Sequence, residues 1–258
     1  MWILETVAVA FGMYSALPTP RVEWNEKNMR WALAAFPILG VVQGLGWWGV
    51  CALSATAALP ELLRGALLCV WPALMTGGIH LDGYADVSDA LASHAEPARK
   101  REILHDSHIG AFAAIRLCLY FVVYLGLCCA MATTEAALWC MGLGFVLSRA
   151  LSGLLLTQLS VAEGSSLARL FADAADKRRA GLVLGGMSAG LAAAMICLCG
   201  AAGIAADCAA LLVMWRYIRV ARREFGGVSG DLAGWFLVKA EFWMLVVIVA
   251  VQYGESVV

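Results

Sequence analysis

Apolar residues run along this chain in blocks of membrane-spanning length, separated by short polar stretches. A helix crossing a hydrocarbon core about 30 Å thick needs about 20 apolar residues, because each adds about 1.5 Å of rise. Six blocks approach or exceed that length: residues 31–58, 62–80, 111–132, 136–157, 181–204 and 232–251. Two shorter ones, 2–17 and 206–220, read as short spans or as helices lying in the interface. The pattern predicts an all-α, polytopic membrane bundle of seven or eight transmembrane helices. Residues 1–258 form a single integral membrane domain, with a cytoplasmic loop over about 82–110.

Composition supports this reading. Hydrophobic residues make up 62% and charged residues 14%, against about 45–50% and about 25% in ordinary soluble domains. With a mean hydropathy of +0.80, a water-soluble fold would have nowhere to hide its apolar surface. The net charge of −1 says less than its distribution. Basic residues collect in alternate loops: Arg21, Lys27 and Arg30; Arg99, Lys100 and Arg101; Arg169, Lys177, Arg178 and Arg179; Arg216, Arg219, Arg222 and Arg223. The intervening loops near 59–61, 133–135 and 204–207 hold no Lys or Arg. If all eight helices cross, every basic loop falls on one face, which the positive-inside rule makes cytoplasmic. An integral protein of the cytoplasmic (inner) membrane follows, with the lipid bilayer as its partner.

Several classes drop out. No basic run is large enough for a nucleic-acid footprint. No internal repeat supports a transporter built from duplicated halves. The nine cysteines lie in apolar stretches, form no CxxC pair and have no histidine at ligand spacing, so they read as small hydrophobes. The first 17 residues carry Glu5 and no basic region, which argues against a cleaved signal.

One stretch stands apart, Thr76-Gly77-Gly78-Ile79-His80-Leu81-Asp82-Gly83-Tyr84-Ala85-Asp86-Val87-Ser88-Asp89. In a helix, Asp82, Asp86 and Asp89 fall within about 60° of one another. Three like charges on one stripe repel, and each is costly near the apolar region. A bound cation would neutralise them. Carboxylate oxygens with no nearby thiolate favour Mg²⁺ or Mn²⁺ over zinc. The bland alternative is a solvated acidic face paired with Arg99, Lys100 and Arg101. Gly77, Gly78 and Gly83 favour a site, because they leave backbone open to a phosphate or other close ligand.

All four histidines, His80, His94, His105 and His108, fall in this region and the loop after it, beside Glu102, Asp106 and Ser107. His94 reads as part of a solvated connector. For Asp106 and His108 connector and site both stay open, since Gly110 and the next span return them to the membrane face. Arg149 lies inside an apolar span, where an arginine is usually paired or functional and suits a phosphate or a carboxylate. The turn Gly226-Gly227-Val228-Ser229-Gly230-Asp231 opens the last span, and either caps it through Asp231 or cradles a phosphate. Lys239 and Glu241 lie in that last span without an assigned role.

These pieces, in this order, resemble the cobalamin synthases, the adenosylcobinamide-GDP ribazoletransferases. Leu17-Pro18-Thr19-Pro20 looks like the family's LPxP element and Phe36 to Gly40 like its FPxxG. Thr76 to Asp89 is similar to TGGxHLDGxADxxD, Glu102 to Gly110 to EIMxDSxxG, Ser148-Arg149 to an SR pair, and Gly226 to Asp231 to GGxxGD. The chain departs at Ala90, where the family often has glycine, at His108, where it usually has arginine, and at Val228-Ser229, which replace Gln-Thr. The resemblance implies joining of adenosylcobinamide-GDP to α-ribazole or its 5′-phosphate with release of GMP, the last nucleotide-loop step of vitamin B12 synthesis. It implies Mg²⁺ on Asp82, Asp86 and Asp89, with one carboxylate or His80 as the base and Asp106 beside them. Substrate would contact Gly77, Gly78, Ser107, His108, Arg149 and Asp231, with Arg149 as a phosphate clamp. Self-association into a homo-oligomer stays open.

Two rivals remain. A CDP-alcohol phosphotransferase making phospholipid would also use aspartates at helical spacing, but its Asp-Gly-x-x-Ala-Arg signature lacks the arginine here, where Asp86 follows Ala85. A cation-coupled transporter would place carboxylates in broken helices near mid-membrane, whereas this cluster sits at a helix end.

Overall fold

The computed structural model describes residues 2–106 and 108–257. Among the described residues the chain is helical, with one isolated bridge, Val161–Val228, and no strand. In order the helices are α1 (Trp2–Tyr14), α2 (Glu26–Met29), α3 (Ala32–Thr56), α4 (Glu61–Thr76), α5 (Ile79–Ala92) and α6 (Pro97–Ile103). They continue as α7 (Ala111–Ala130), α8 (Glu135–Gln158), α9 (Ser166–Ala174), α10 (Lys177–Val220) and, after a π-helical turn at Ala221–Phe225, α11 (Gly230–Val257). The membrane favours this choice, since only helices or closed barrels satisfy every backbone group without water.

Five described helices are long and apolar enough to cross a bilayer: α3, α7, α8, α10 with its π turn, and α11; they become six if the bent pair α4–α5 is one span. The expected number of seven or eight is not confirmed: α1 is only 13 residues long, and the blocks expected at 181–204 and 206–220 run on either side of a break within α10. Gly200 breaks it at φ 55°, ψ −126°. Gly203 lies so close to the Met195 carbonyl that a β-carbon could not fit, although a straight helix would hold positions eight apart at about 12 Å. The chain therefore doubles back at Gly200, and its two arms form a helical hairpin.

Helix α8 is the most enclosed of the spanning helices and packs against α3, α10 and α11. Small residues let backbones approach where lipid gives no hydrophobic drive. A β-carbon at Gly40 of α3 would lie 2.5 Å from the Phe145 carbonyl of α8, and Gly44 faces Gly142. All nine cysteines are free, as their apolar surroundings suggested.

The four basic segments meet at one end. Trp24 packs on Phe171 at 5.9 Å between ring centroids, Lys100 pairs with Glu224, and Val228 exchanges backbone hydrogen bonds of 2.9 Å with Ser160 and Ala162. The loops thus form one connected basic cap on the bundle.

Gly40→Leu should force α3 off α8 and cost about 1–3 kcal/mol, as overpacking does. Thermal unfolding in detergent should show a lower midpoint, and an unchanged midpoint would refute the close α3–α8 contact.

Candidate active site

The block expected as one span over 62–80 ends instead at Thr76. Gly77 and Gly78 both take the left-handed region, at φ 64° and 82°, and the chain turns by 93° into α5. Only glycine adopts two such residues in succession without strain. Gly78 N–H donates to the Ala73 carbonyl at 2.9 Å and the Ala16 N–H to that of Met75 at 2.9 Å, so carbonyls at the end of α4 are satisfied. No side chain caps the start of α5.

The turn opens a cleft of about 780 Å³ at the basic end, lined by Gly77, Gly78, Asp82, Asp86, Asp106 and His108, with Ile79, Leu81, Ile109, Leu117 and Phe121 as apolar walls. Asp82 is exposed and Asp86 half-buried. Gly83 plays a different part from the one expected of it. A β-carbon there would lie 2.6 Å from the Asp231 carbonyl, so α11, not a ligand, occupies that space. This contact brings Asp231 beside the stripe, and the charges of Asp82, Asp231 and Asp89 all act on Asp86.

Asp89 belongs to the stripe but turns toward α7. Its Oδ1 accepts from the Ala113 N–H at 3.3 Å, and its carboxylate presses against Gly110. A carboxylate at a helix N-terminus satisfies free amides and complements the dipole. Among the described residues, no three His, Cys, Asp or Glu side chains close into a metal-ligating group. The donor set nonetheless fits Mg²⁺, which commonly takes one or two protein carboxylates and completes its shell with water and substrate phosphate.

On the opposite rim, Asp106 Oδ1 accepts from the His108 N–H at 3.0 Å and lies 2.7 Å from His108 Nδ1. The backbone N–H of His108, then its ring, hold the exposed Asp106 carboxyl below the usual range. A depressed carboxyl adds stability above its unfolded value, near pH 3.9, and loses it as pH falls through the folded value. Ser107 lies outside the described residues.

Two expected site residues lie beneath the cleft. Arg149 is 1% exposed; its Nη1 donates to Glu241 Oε1 at 2.8 Å and its Nη2 to Gln43 Oε1 at 2.6 Å. Ser148 donates to the same Glu241 oxygen at 2.9 Å. The His80 ring lines a small interior cavity with Arg149, Gln43 and Glu241 and leaves Nε2 without a partner. Arg149 thus meets a carboxylate, the second of the two ligands its fork suited. The turn 226–231 is also structural: Gly227 packs on the 160–162 backbone, and Ser229, not Asp231, caps α11 by accepting from the Leu232 N–H at 3.1 Å. Glu241 and Gln43 carried no sequence motif, although an acid and an arginine in facing apolar spans could have been paired on cost alone.

The fold and cleft define a helical membrane protein with a large acidic cleft at its basic end. The chain belongs to the cobalamin-5-phosphate synthase family, whose model matches residues 6–249. It is 36% identical to an adenosylcobinamide-GDP ribazoletransferase of Lachnoclostridium phytofermentans, over 99% of this chain and 96% of that protein. Proteins of the same name from Clostridium perfringens strain 13 (28% identical, 92% and 94% covered) and Geobacillus kaustophilus (31%, 90% and 88%) are also similar. No solved structure matches the chain.

Glu241→Gln leaves Arg149 charged and unpaired in a dry interior, at a cost of about 3–5 kcal/mol. The unfolding midpoint should drop sharply, and a drop no larger than that of a surface change would refute the pairing. Asp89→Ala should lower stability by about 1 kcal/mol, as loss of a cap does, while Asp89→Asn keeps an accepting oxygen. Equal losses in the two Asp89 variants would argue against capping.

Proposed function

We propose that this chain is an adenosylcobinamide-GDP ribazoletransferase, working in the cytoplasmic membrane with its cleft toward the cytoplasm. The observation that carries the reading is the acidic cleft at Gly77–Asp86 in a chain of this family. The ribose hydroxyl of α-ribazole, or of its 5′-phosphate, attacks the phosphate attached to cobinamide, and GMP leaves. Mg²⁺ held by Asp82 and Asp86, with Asp231 adjacent, would neutralise charge building on the transferred phosphate.

The remaining work falls to the chain itself. The uncapped start of α5 offers backbone N–H groups beside Gly77 and Gly78, a ready site for pyrophosphate. A cleft carboxylate, Asp82 or Asp86, receives the hydroxyl proton. His80 is poorly placed for that role, being enclosed below the cleft floor. Asp106 and His108 supply hydrogen-bonding groups at the outer rim. The Arg149–Glu241 pair holds α8 and α11 under the site instead of gripping phosphate. The basic cap raises the local concentration of anionic substrates.

Detergent-purified protein given adenosylcobinamide-GDP and α-ribazole phosphate should release GMP only with both substrates and Mg²⁺, and EDTA should stop it. Asp82→Asn and Asp86→Asn should lower the rate by at least about 10²-fold while the protein stays folded, a loss expected for transition-state charge stabilisation. Near wild-type rates in either variant at saturating Mg²⁺ would overturn the metal assignment. Release of CMP from a CDP-alcohol would favour the lipid-enzyme rival, and ion binding without turnover would favour a transporter.

A further inference from the structure

Four basic residues lie outside the basic loops: Arg64, Arg116, Arg149 and Lys239. Two are partnered. Arg64 Nη2 donates to the carbonyls of Cys129 and Met131 at 2.9 and 3.2 Å, and Arg149 pairs with Glu241. Among the described residues, Arg116 and Lys239 have no ion-pair partner, nor has Arg216 near the end of α10. A cation within a spanning helix is costly without a partner, so its counter-charge needs naming.

These three cations belong together. Lys239 is half-buried on α11, its ammonium 5.7 Å from the Tyr84 ring, and it shares one groove with Arg116 and another with Arg216. It lies where two apolar grooves meet. One, of about 390 Å³ between α7 and α11, holds Arg116, Phe112 and Phe242 beside Lys239. The other, of about 750 Å³ between α10 and α11, holds Arg216, Trp235 and Trp243 beside it. Arg116 follows the start of α7 by about 8 Å and Lys239 that of α11 by about 14 Å, at 1.5 Å per residue. That depth below the basic end suits a headgroup phosphate reached by snorkelling side chains. Phe112, one residue into α7, and Trp243, one turn below Lys239, stand 56% and 44% exposed along the grooves. The acidic cleft borders the other flank of α7, at Leu117 and Phe121, so the grooves are distinct from it.

We propose that Arg116, Lys239 and Arg216 bind the phosphate of an anionic phospholipid, with its acyl chains in the two grooves. The complementarity is of charge and of shape: three cations without a protein acid, joined to two apolar grooves that open sideways into lipid. A lipid phosphodiester supplies the missing negative charge, and the grooves take the tails.

Native mass spectrometry of the full chain in detergent, titrated with phosphatidylglycerol and separately with phosphatidylcholine, tests this directly. Wild type should prefer phosphatidylglycerol. The Arg116→Gln/Lys239→Gln variant should bind it on the order of 25-fold more weakly, at about five-fold per charge removed. Lys239→Arg should keep the preference. Thermal midpoints in nanodiscs separate binding from a folding defect. In phosphatidylcholine alone the double variant should match or exceed wild type, because removing unpaired charge from apolar surroundings relieves a cost. With phosphatidylglycerol added, only wild type and Lys239→Arg should gain stability. Equal phosphatidylglycerol binding by wild type and double variant would overturn the proposal. So would equal loss of stability in both lipids, or displacement of the lipid by millimolar inorganic phosphate.

Discussion

The bundle depends on a buried ion pair. Arg149 on α8 and Glu241 on α11 lie 2.8 Å apart at 1% and 8% side-chain exposure, with Gln43 of α3 and Ser148 completing the hydrogen bonds. Each charge alone would be hard to keep in a dry interior, so the pair works as a unit that fixes three helices in register. Phe36 stacks beneath the guanidinium at 5.9 Å and meets the His80 ring edge-on at 6.0 Å. The start of α5, and with it one wall of the cleft, therefore stands on this network.

Above it, the cleft combines two opposed electrostatic demands. Asp82 and Asp86 line it, and the Asp231 backbone lies against α5 where Gly83 leaves room, so negative charge collects on this side. Around it the four basic loops form a cap that attracts anions. The bend at Gly77–Gly78 is what sets the carboxylates and the basic cap side by side. The same separation of charge continues down the outside of the bundle, where Arg116, Lys239 and Arg216 face lipid instead of the cleft.

Much of this was legible in the linear pattern, because spanning length and loop charge are properties of contiguous residues. The apolar blocks mark the spanning helices, the alternation of Arg and Lys sorts the loops to one end, and the Thr76–Asp89 stretch carries the cleft. What the pattern misplaced were breaks inside continuous apolar runs. The block at 62–80 reads as one span because apolarity continues through Gly77–Gly78, yet two left-handed residues end it. The blocks at 181–204 and 206–220 are two arms as the pattern has them, but their break lies at Gly200, inside an apolar run without polar punctuation.

The candidate site divides in the same way. Residue type and helical spacing placed Asp82 and Asp86 on one face, since a helix fixes neighbours four apart. Spacing also put Asp89 on that face, but only packing turned it to the start of α7. Arg149 could be read from sequence as functional or paired, because its charge in an apolar span demands a partner without naming one. The partner, Glu241, lies 92 positions away, and Gly83 and Asp231 are likewise joined only by the fold. The sequence by itself determined a helical membrane protein with an acidic stripe at its basic end, since local periodicity and composition suffice for that. Only the tertiary structure decided which carboxylates share the cleft and which charges neutralise one another, because those depend on distances between helices that no local pattern encodes.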